Sequence, residues 1–354
     1  MKTDILSMTP DELREFTVTE LGEPKYRADQ IWSFMYKGEN FDGMTNLPKK
    51  LREALEEKAE LRLPKVALKL VSQVDGTVKY LFELADGQCI ESVVMRYKYG
   101  LTICISSQCG CRMGCRFCAS TIGGKVRDLL PSELLGQIIA AQKDMGERIS
   151  HVVMMGIGEP LDNYDNVIKF LKLVNMEKGL GISYRSISLS TCGVVPKIDK
   201  LAEEGFPITL SISLHAPDDE ARSAIMPVNN AWGVDELLSA CRRYFDTTGR
   251  RISFEYTLIS GKNDSVESAT KLASVLKKYM KDGIHVNLIP LNEVAEREYK
   301  RGRNEDIKKF CDTLGKYGIN ATVRRRLGPD INASCGQLRR NSGATTTATA
   351  STEE

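Results

Sequence analysis

The chain has 354 residues, 42% of them hydrophobic and 27% charged, which is ordinary for a globular protein and too much for one small core. The net charge of +2 excludes a protein that lives on bulk electrostatic affinity for nucleic acid. No apolar run reaches the roughly 18 residues of a membrane span, and the opening MKTDILSMTPDELREF carries Asp4, Asp11 and Glu12 where a secretory signal would be apolar, so a cytoplasmic location is expected.

Residues 1–65 read as a helical accessory domain. Thr9-Pro10-Asp11-Glu12 combines an N-cap, a proline at the first helical position and a capping-box glutamate. Ile31, Trp32, Met35 and Tyr36 recur at helical spacing, and a third helix runs from about Pro48 through Leu51, Leu55 and Ala59. Residues 66–98 read as an antiparallel β-meander, VALKLVSQ, VKYLFEL and QCIESVVM, turned at Asp75-Gly76 and Asp86-Gly87. Asp-Gly favours the tight hairpin turn, in which both central residues take positive φ.

From 99 to 338 strand patterns alternate with stretches long enough for a helix. The strands are LTICIS (101–106), HVVMMG (151–156), SISLST (186–191), ITLSISLH (208–215), RISFEYTLI (251–259) and HVNLIPL (285–291). This is the signature of an α/β fold built as a partial (β/α)6 barrel. Two strands set hydroxyls along one face, Thr209, Ser211 and Ser213 with His215 on one and Ser186, Ser188 and Ser190 on the other. A packed parallel core would be apolar on both sides, so these faces suit a polar ligand. A last strand, ATVRRRL (321–327), leads into GPDINASCGQLRR, and the polar tail 339–354 is expected to be disordered.

Four of the ten cysteines crowd into SSQCGCRMGCRFCAS, at Cys109, Cys111, Cys115 and Cys118. In a reducing compartment such a cluster points to metal or catalysis rather than to disulfides. Cys111, Cys115 and Cys118 form C-x3-C-x2-C with Phe117 before the last. Two chemistries fit: a closed zinc site with Cys109 as fourth thiolate, or an iron–sulfur cluster held by three thiolates with one iron open to a ligand. One residue separates Cys109 from Cys111, tighter than the pairs usual for zinc. Cys89, Cys192, Cys241 and Cys311 read as small buried hydrophobes. The basic runs Lys49-Lys50, Arg250-Arg251, Arg324-Arg325-Arg326 and Arg339-Arg340 read mainly as solvated surface.

The cysteine triplet after a first barrel strand, followed by GIGEP (156–160) at the end of the second, resembles the radical S-adenosylmethionine superfamily. The further segments IESVVM (90–95), STCG (190–193), SLHA (213–216), LIPLN (288–292) and CGQL (335–338) are similar to the bacterial RNA adenine-C2 methyltransferases, over roughly residues 10 to 340. That resemblance implies a [4Fe–4S] cluster on Cys111, Cys115 and Cys118, with Cys109 outside it. It implies S-adenosylmethionine, two per turnover, contacted at Gly158, Glu159, Ser190, Ser213, Leu214, His215 and Asn292. One cosubstrate would methylate Cys335 and the other, cleaved by the reduced cluster, would turn that methyl into a radical that adds to adenine C2. Cys104 would resolve the protein–RNA crosslink by closing a disulfide, and Glu91 would take the C2 proton. The substrates implied are 23S rRNA and tRNA, with flavodoxin or ferredoxin as electron donor, no membrane and a monomeric enzyme. The arginines at 324–326 could hold phosphates. A related antibiotic-resistance enzyme modifies C8 of the same adenine; the helical N-terminal segment favours C2.

Overall fold

The computed structural model describes residues 2–280 and 282–339. The tail expected to be disordered lies, from residue 340 on, outside the described residues.

The N-terminal segment folds as α1 (Pro10–Thr19), α2 (Tyr26–Met35) and α3 (Lys49–Lys58), closed by a short parallel pair, β1 (Thr3–Asp4) and β2 (Ala59–Glu60). The capping box forms: Thr9 N–H donates to Glu12 Oε2 at 2.6 Å and Glu12 N–H donates to Thr9 Oγ1 at 3.3 Å. Two orphan donors of the first turn are thus satisfied. Leu13, Phe16, Ile31, Trp32, Met35, Leu51 and Leu55 join the main core.

The meander is β3 (Lys65–Val71), β4 (Val78–Glu83) and β5 (Cys89–Tyr97). Its turns differ from the expected hairpin type. Only the glycines take positive φ, Gly76 at 71° and Gly87 at 77°. Asp75 and Asp86 act through their side chains, accepting from Thr77 N–H at 3.0 Å and Gln88 N–H at 3.1 Å. Each connection is therefore a longer turn closed by a left-handed glycine.

β5 pairs antiparallel with β6 (Gly100–Cys104). After β6 a separate antiparallel ribbon, β7 (Gln108–Gly110) and β8 (Lys125–Asp128), brackets the cysteine loop; nothing in the hydrophobic pattern announced it. Six parallel strands complete the sheet after β6: β9 (Ile149–Met154), β10 (Ile187–Thr191), β11 (Thr209–Ser213), β12 (Ile252–Leu258), β13 (Ile284–Pro290) and β14 (Asn320–Val323). Helices α4 (Pro131–Met145), α5 (Tyr164–Val174), α6 (Val195–Glu203), α7 (Asp219–Ile225), α8 (Val234–Thr248), α9 (Val266–Tyr279) and α10 (Asn304–Lys316) lie in the crossovers.

The order from β14 through β6 to β3 runs open, with β14 and β3 as its two edges. The sheet is thus a partial barrel extended by the meander, as expected. β14 stops at Val323, short of the expected 327. Arg324 N–H still bonds Leu288 O at 2.8 Å, but its side chain turns into the barrel. Among the described residues no helix is long and apolar enough to cross a membrane. All the parallel strands point one way, so their carboxyl ends, where α/β folds place ligands, gather on one rim.

The ribbon carries a sharp steric test. Gly110 sits at φ 78°, and a Cβ there would stand 1.9 Å from Gly124 O. Gly123, at φ 85°, has open space around the same position. Gly123→Ala should cost only the strain of a left-handed alanine, about 1–2 kcal/mol, whereas Gly110→Ala must also push the two facing backbones apart. Thermal unfolding should place Gly110→Ala clearly below Gly123→Ala; equal midpoints would contradict the ribbon.

Candidate active site

The site begins where β6 and β9 end. Their exits are sewn together: Gly156 N–H donates to Ile105 O at 3.1 Å, and Ser107 and Gln108 N–H both donate to Ile157 O at 2.7 and 3.1 Å. Ile157 N–H donates to Ser106 Oγ at 3.0 Å and Glu159 N–H to Gln108 Oε1 at 2.9 Å. Two glycines permit the approach. A Cβ on Gly156 would lie 2.6 Å from Ile105 O, and one on Gly158, at φ 107°, 2.6 Å from Gln108 Cβ. The GIGEP motif thus has a steric meaning beyond its acid. Asp162 adds a clasp, accepting from Arg112, from Lys125 at 2.9 Å and from Gln108 Nε2 at 2.8 Å. Burial would raise its carboxyl, yet these three donors hold it below its usual range.

These loops border a cavity lined from the carboxyl ends of several strands, the place where α/β folds gather ligand sites. Cys111, Cys115 and Cys118 line it together. Burial raises all three thiols, Cys111 to about 12, and the charge of neighbouring thiols raises Cys111 and Cys115 further. Three crowded thiols in this setting become thiolates only around a cationic partner. That donor set fits an iron–sulfur cluster. Among the described residues no three His, Cys, Asp or Glu side chains gather as one metal ion would need. Cys109 is absent from the cavity wall and packs, fully buried, in the main apolar core, which removes the fourth thiolate of the zinc alternative.

Opposite the thiols the wall turns polar. Glu159 is 3% exposed; its Oε1 accepts from Leu161 N–H at 3.0 Å and its Oε2 from Cys192 N–H at 2.7 Å. Burial raises its carboxyl against the pull of those donors, so an ammonium group arriving in the cavity would find an acid in need of charge compensation. Ser190 and Ser213, on adjacent strands, face each other at 3.4 Å. His215 has φ 58°, an uncommon backbone for a non-glycine residue. Asn263 Nδ2 braces it by donating to His215 O and Thr257 O, both at 2.7 Å. His215 Nδ1 accepts from Thr257 N–H at 2.9 Å, which leaves the proton on Nε2. Burial pushes its pKa down to about 3, so the ring stays neutral, and Phe117 of the cysteine loop packs edge-on against it at 5.0 Å. Leu214 is not part of the wall. Its side chain is fully buried in the main core, its N–H donates to Glu255 O at 3.1 Å, and its carbonyl accepts from Arg222 Nε at 3.1 Å.

The C-terminal strap brings Cys335 to the same wall. Gly336 O accepts from Ala119 N–H at 2.8 Å, Leu338 O from Ser120 Oγ at 2.7 Å, and Cys335 O from Asn292 Nδ2 at 3.0 Å. Cys104, on β6, lies behind the wall in a small apolar cluster with Ala333 and Leu338. Burial and then the charge of Cys335 push Cys104 up to about 12, so the two thiols are electrostatic neighbours. Glu91 is buried outside the cavity wall. Its Oε1 pairs with Lys79 Nζ at 3.2 Å and its Oε2 accepts from Arg339 N–H at 2.9 Å, which ties β5 to the end of the strap.

Several wall residues were not singled out from the sequence. Glu255 on β12 lines the cavity, accepting from Ser253 Oγ at 3.0 Å and Asn287 Nδ2 at 2.7 Å with Arg324 Nη1 at 3.7 Å. An acid between Phe254 and Tyr256 in an apolar strand was the available signal. Arg324, expected as a surface phosphate contact, instead reaches the wall, where the charge of Cys335 and then Glu255 hold its guanidinium protonated. Cys192 was read as a plain hydrophobe but also lines the wall; its place one residue beyond the end of β10 was the clue. Arg222 is fully buried and donates to Leu214 O, Ser213 O, Cys192 O and Asn229 Oδ1. Nothing in its local sequence marked it.

His215 supplies a pH signature. Its folded pKa near 3 lies below the ordinary 6.5, so between those values the unfolded chain binds a proton that the folded chain refuses. Stability should fall with pH through that window by about 1.4 kcal/mol per unit below 6.5. Denaturant unfolding at pH 6.5 and 5 should show His215→Gln losing less than wild type; parallel losses would mean that the ring is not held neutral.

Comparison with known proteins agrees with this geometry. Residues 105–273 match the model of the Radical SAM superfamily, and residues 3–61 that of the Ribosomal RNA large subunit methyltransferase N-terminal domain. The chain is 53% identical over 340 residues to the "Probable dual-specificity RNA methyltransferase RlmN" of Clostridium novyi (strain NT), covering 96% of this chain and 98% of that protein. It is equally 53% identical over 340 residues to the protein of the same name from Alkaliphilus oremlandii (strain OhILAs), covering 96% and 98%. The crystal structure of a radical SAM methyltransferase from Sphaerobacter thermophilus superposes with a TM-score of 0.90 at 41% identity, covering 95% of this chain and 99% of that one. The chain belongs to the dual-specificity RNA methyltransferase family, within the radical S-adenosylmethionine superfamily.

Proposed function

We propose that this enzyme methylates C2 of an adenine in 23S rRNA and of an adenine in certain tRNAs, with Cys335 carrying the methyl group and Cys104 releasing the product. The observation that carries the reading is the shared wall: Cys335 borders the cavity of Cys111, Cys115 and Cys118, with Cys104 behind it in the apolar cluster of Ala333 and Leu338, which flank Cys335 in the strap.

Family membership brings a [4Fe–4S] cluster and S-adenosylmethionine. When bound, they supply the one-electron hydrogen-abstraction chemistry that side chains lack. That chemistry is needed because adenine C2 is an electron-poor C–H carbon with no lone pair for a sulfonium methyl.

Cys111, Cys115 and Cys118 hold the cluster in this reading. Glu159 accepts from the methionine ammonium, and Gly158 lets the ligand approach the backbone. Ser190, Ser213 and Asn292 supply polar contacts, and neutral His215 donates from Nε2. Leu214, whose side chain is in the core, would contribute only through its backbone, where its carbonyl accepts one bond from Arg222 and keeps a second lone pair.

Cys335 accepts a methyl from one S-adenosylmethionine, and a second is consumed per turnover. Glu91 takes the C2 proton once its bond to Arg339 N–H opens. The Cys104 thiolate then attacks the Cys335 sulfur; the sulfur–carbon bond breaks, the released carbon takes a proton to become the methyl on C2, and a Cys104–Cys335 disulfide is left for reduction. The target base must leave its stack to reach a thiol this enclosed.

Residues 1–65 act as an RNA-binding accessory domain and 66–98 as an extension of the 99–338 core. The enzyme works as a cytoplasmic monomer with flavodoxin or ferredoxin as electron donor.

The test is nucleoside mass analysis of RNA treated with the reconstituted enzyme. Wild type should yield 2-methyladenosine and Cys335→Ala none. A product methylated at C8 would overturn the regiochemistry, and 2-methyladenosine from Cys335→Ala would overturn the methyl carrier.

A further inference from the structure

A second cavity opens beside the first and shares Ile289, Asn292, Arg324 and Cys335 with it. Its remaining wall joins apolar residues, Met95, Pro290, Val323 and Leu327 among them, to Tyr97, Arg301, Arg325 and Arg326. The three arginines are exposed, and among the described residues none pairs with a carboxylate. Their neighbours differ: Arg324 faces Glu255 at 3.7 Å and Arg339 pairs with Glu296 at 2.6 Å. Glu293 at the rim is engaged by Lys300 at 3.2 Å and by Arg301 N–H at 3.3 Å. Arg326 also acts on Glu293, helping to hold its carboxyl below the usual range, so in a chain of net charge +2 the groove keeps a local excess of positive charge leading to Cys335.

The lip of the groove carries a second signal. Tyr97 stacks on Tyr99 at 5.1 Å with the rings 6° apart, and Tyr99 is 62% exposed. An exposed ring, backed by a second ring, costs little entropy to hold in place. Guanidinium groups along a groove with an aromatic platform at its lip match the two repeating units of a single strand, phosphate and base.

We infer that this groove is the track for unpaired RNA nucleotides flanking the target adenine: Arg301, Arg325 and Arg326 hold their phosphates, and Tyr99 stacks one of their bases. The inference rests on the RNA methyltransferase reading above and gives that reading an entry path.

The test is fluorescence anisotropy of a labelled substrate RNA hairpin with the full-length reconstituted enzyme at several salt concentrations. The double variant Arg325→Gln, Arg326→Gln should weaken binding roughly tenfold and flatten the slope of log K against log salt by about 1.4. Tyr99→Leu should weaken binding roughly tenfold at every salt concentration with the slope unchanged, and Tyr99→Phe should bind like wild type. Methylation of Cys335, read by peptide mass, should persist in all of them, which shows the cofactor cavity intact. Wild-type affinity and slope in the arginine and Tyr99→Leu variants would overturn the groove. Loss of RNA binding in these variants, in a protein whose wild type carries no methyl on Cys335, would support the groove and overturn the methyl carrier instead.

Discussion

The site depends on the seam between the chain leaving β6 and the chain leaving β9. Main-chain bonds from Gly156, Ser107 and Gln108 close it, and the absence of side chains at Gly156 and Gly158 lets the two strands' exits come that near. The seam has a chemical result. It puts the cysteine loop, which continues from the first exit, against Glu159, which ends the second. The thiols proposed to hold the cluster and the acid proposed to meet the ligand's ammonium would otherwise be two unrelated features more than forty positions apart. Asp162 repeats the idea from one side with Arg112 and Lys125.

Around that seam the protein buries polar groups and pairs most of them, the Ser107 and Thr102 hydroxyls being left without a hydrogen-bond partner among the described residues. Arg222 ties the ends of β10 and β11 through carbonyls, and Asn263 braces the left-handed His215. These are costly groups to bury and strongly destabilising to leave unpaired, which is why such positions hold loop geometry well. The strap carrying Cys335 is held differently, by bonds to Ala119, Ser120, Asn292 and, through Arg339, Glu91. Ala333 and Leu338 anchor it on either side of Cys335 in the apolar cluster that holds Cys104.

The sequence made the fold class readable because six strand patterns recur at crossover spacing and the first helix carries a capping box. C-x3-C-x2-C and GIGEP were readable because metal ligation and close backbone approach demand particular residues at fixed spacing. What stayed hidden was set by tertiary contact. Glu255 and Arg324 meet across strands β12 and β14, and no local pattern encodes that pairing. Arg222 looks like any helix arginine until the carbonyls around it are seen. Cys192 sits just past the end of a strand already recognised as polar-faced, yet its lining role depends on how the loop after Thr191 turns toward Glu159. The Asp-Gly turns were misjudged in type because the aspartates cap the following N–H groups instead of adopting positive φ.

The central claim is that Cys335 and Cys104 work in succession across one wall. The most direct measurement is denaturing gel and mass analysis of Cys104→Ala after reaction with substrate RNA and S-adenosylmethionine under reducing, anaerobic conditions. The account predicts that the variant accumulates RNA covalently attached through Cys335 and releases little methylated product. Release of methylated RNA at the wild-type rate, with no adduct on Cys335, would contradict it.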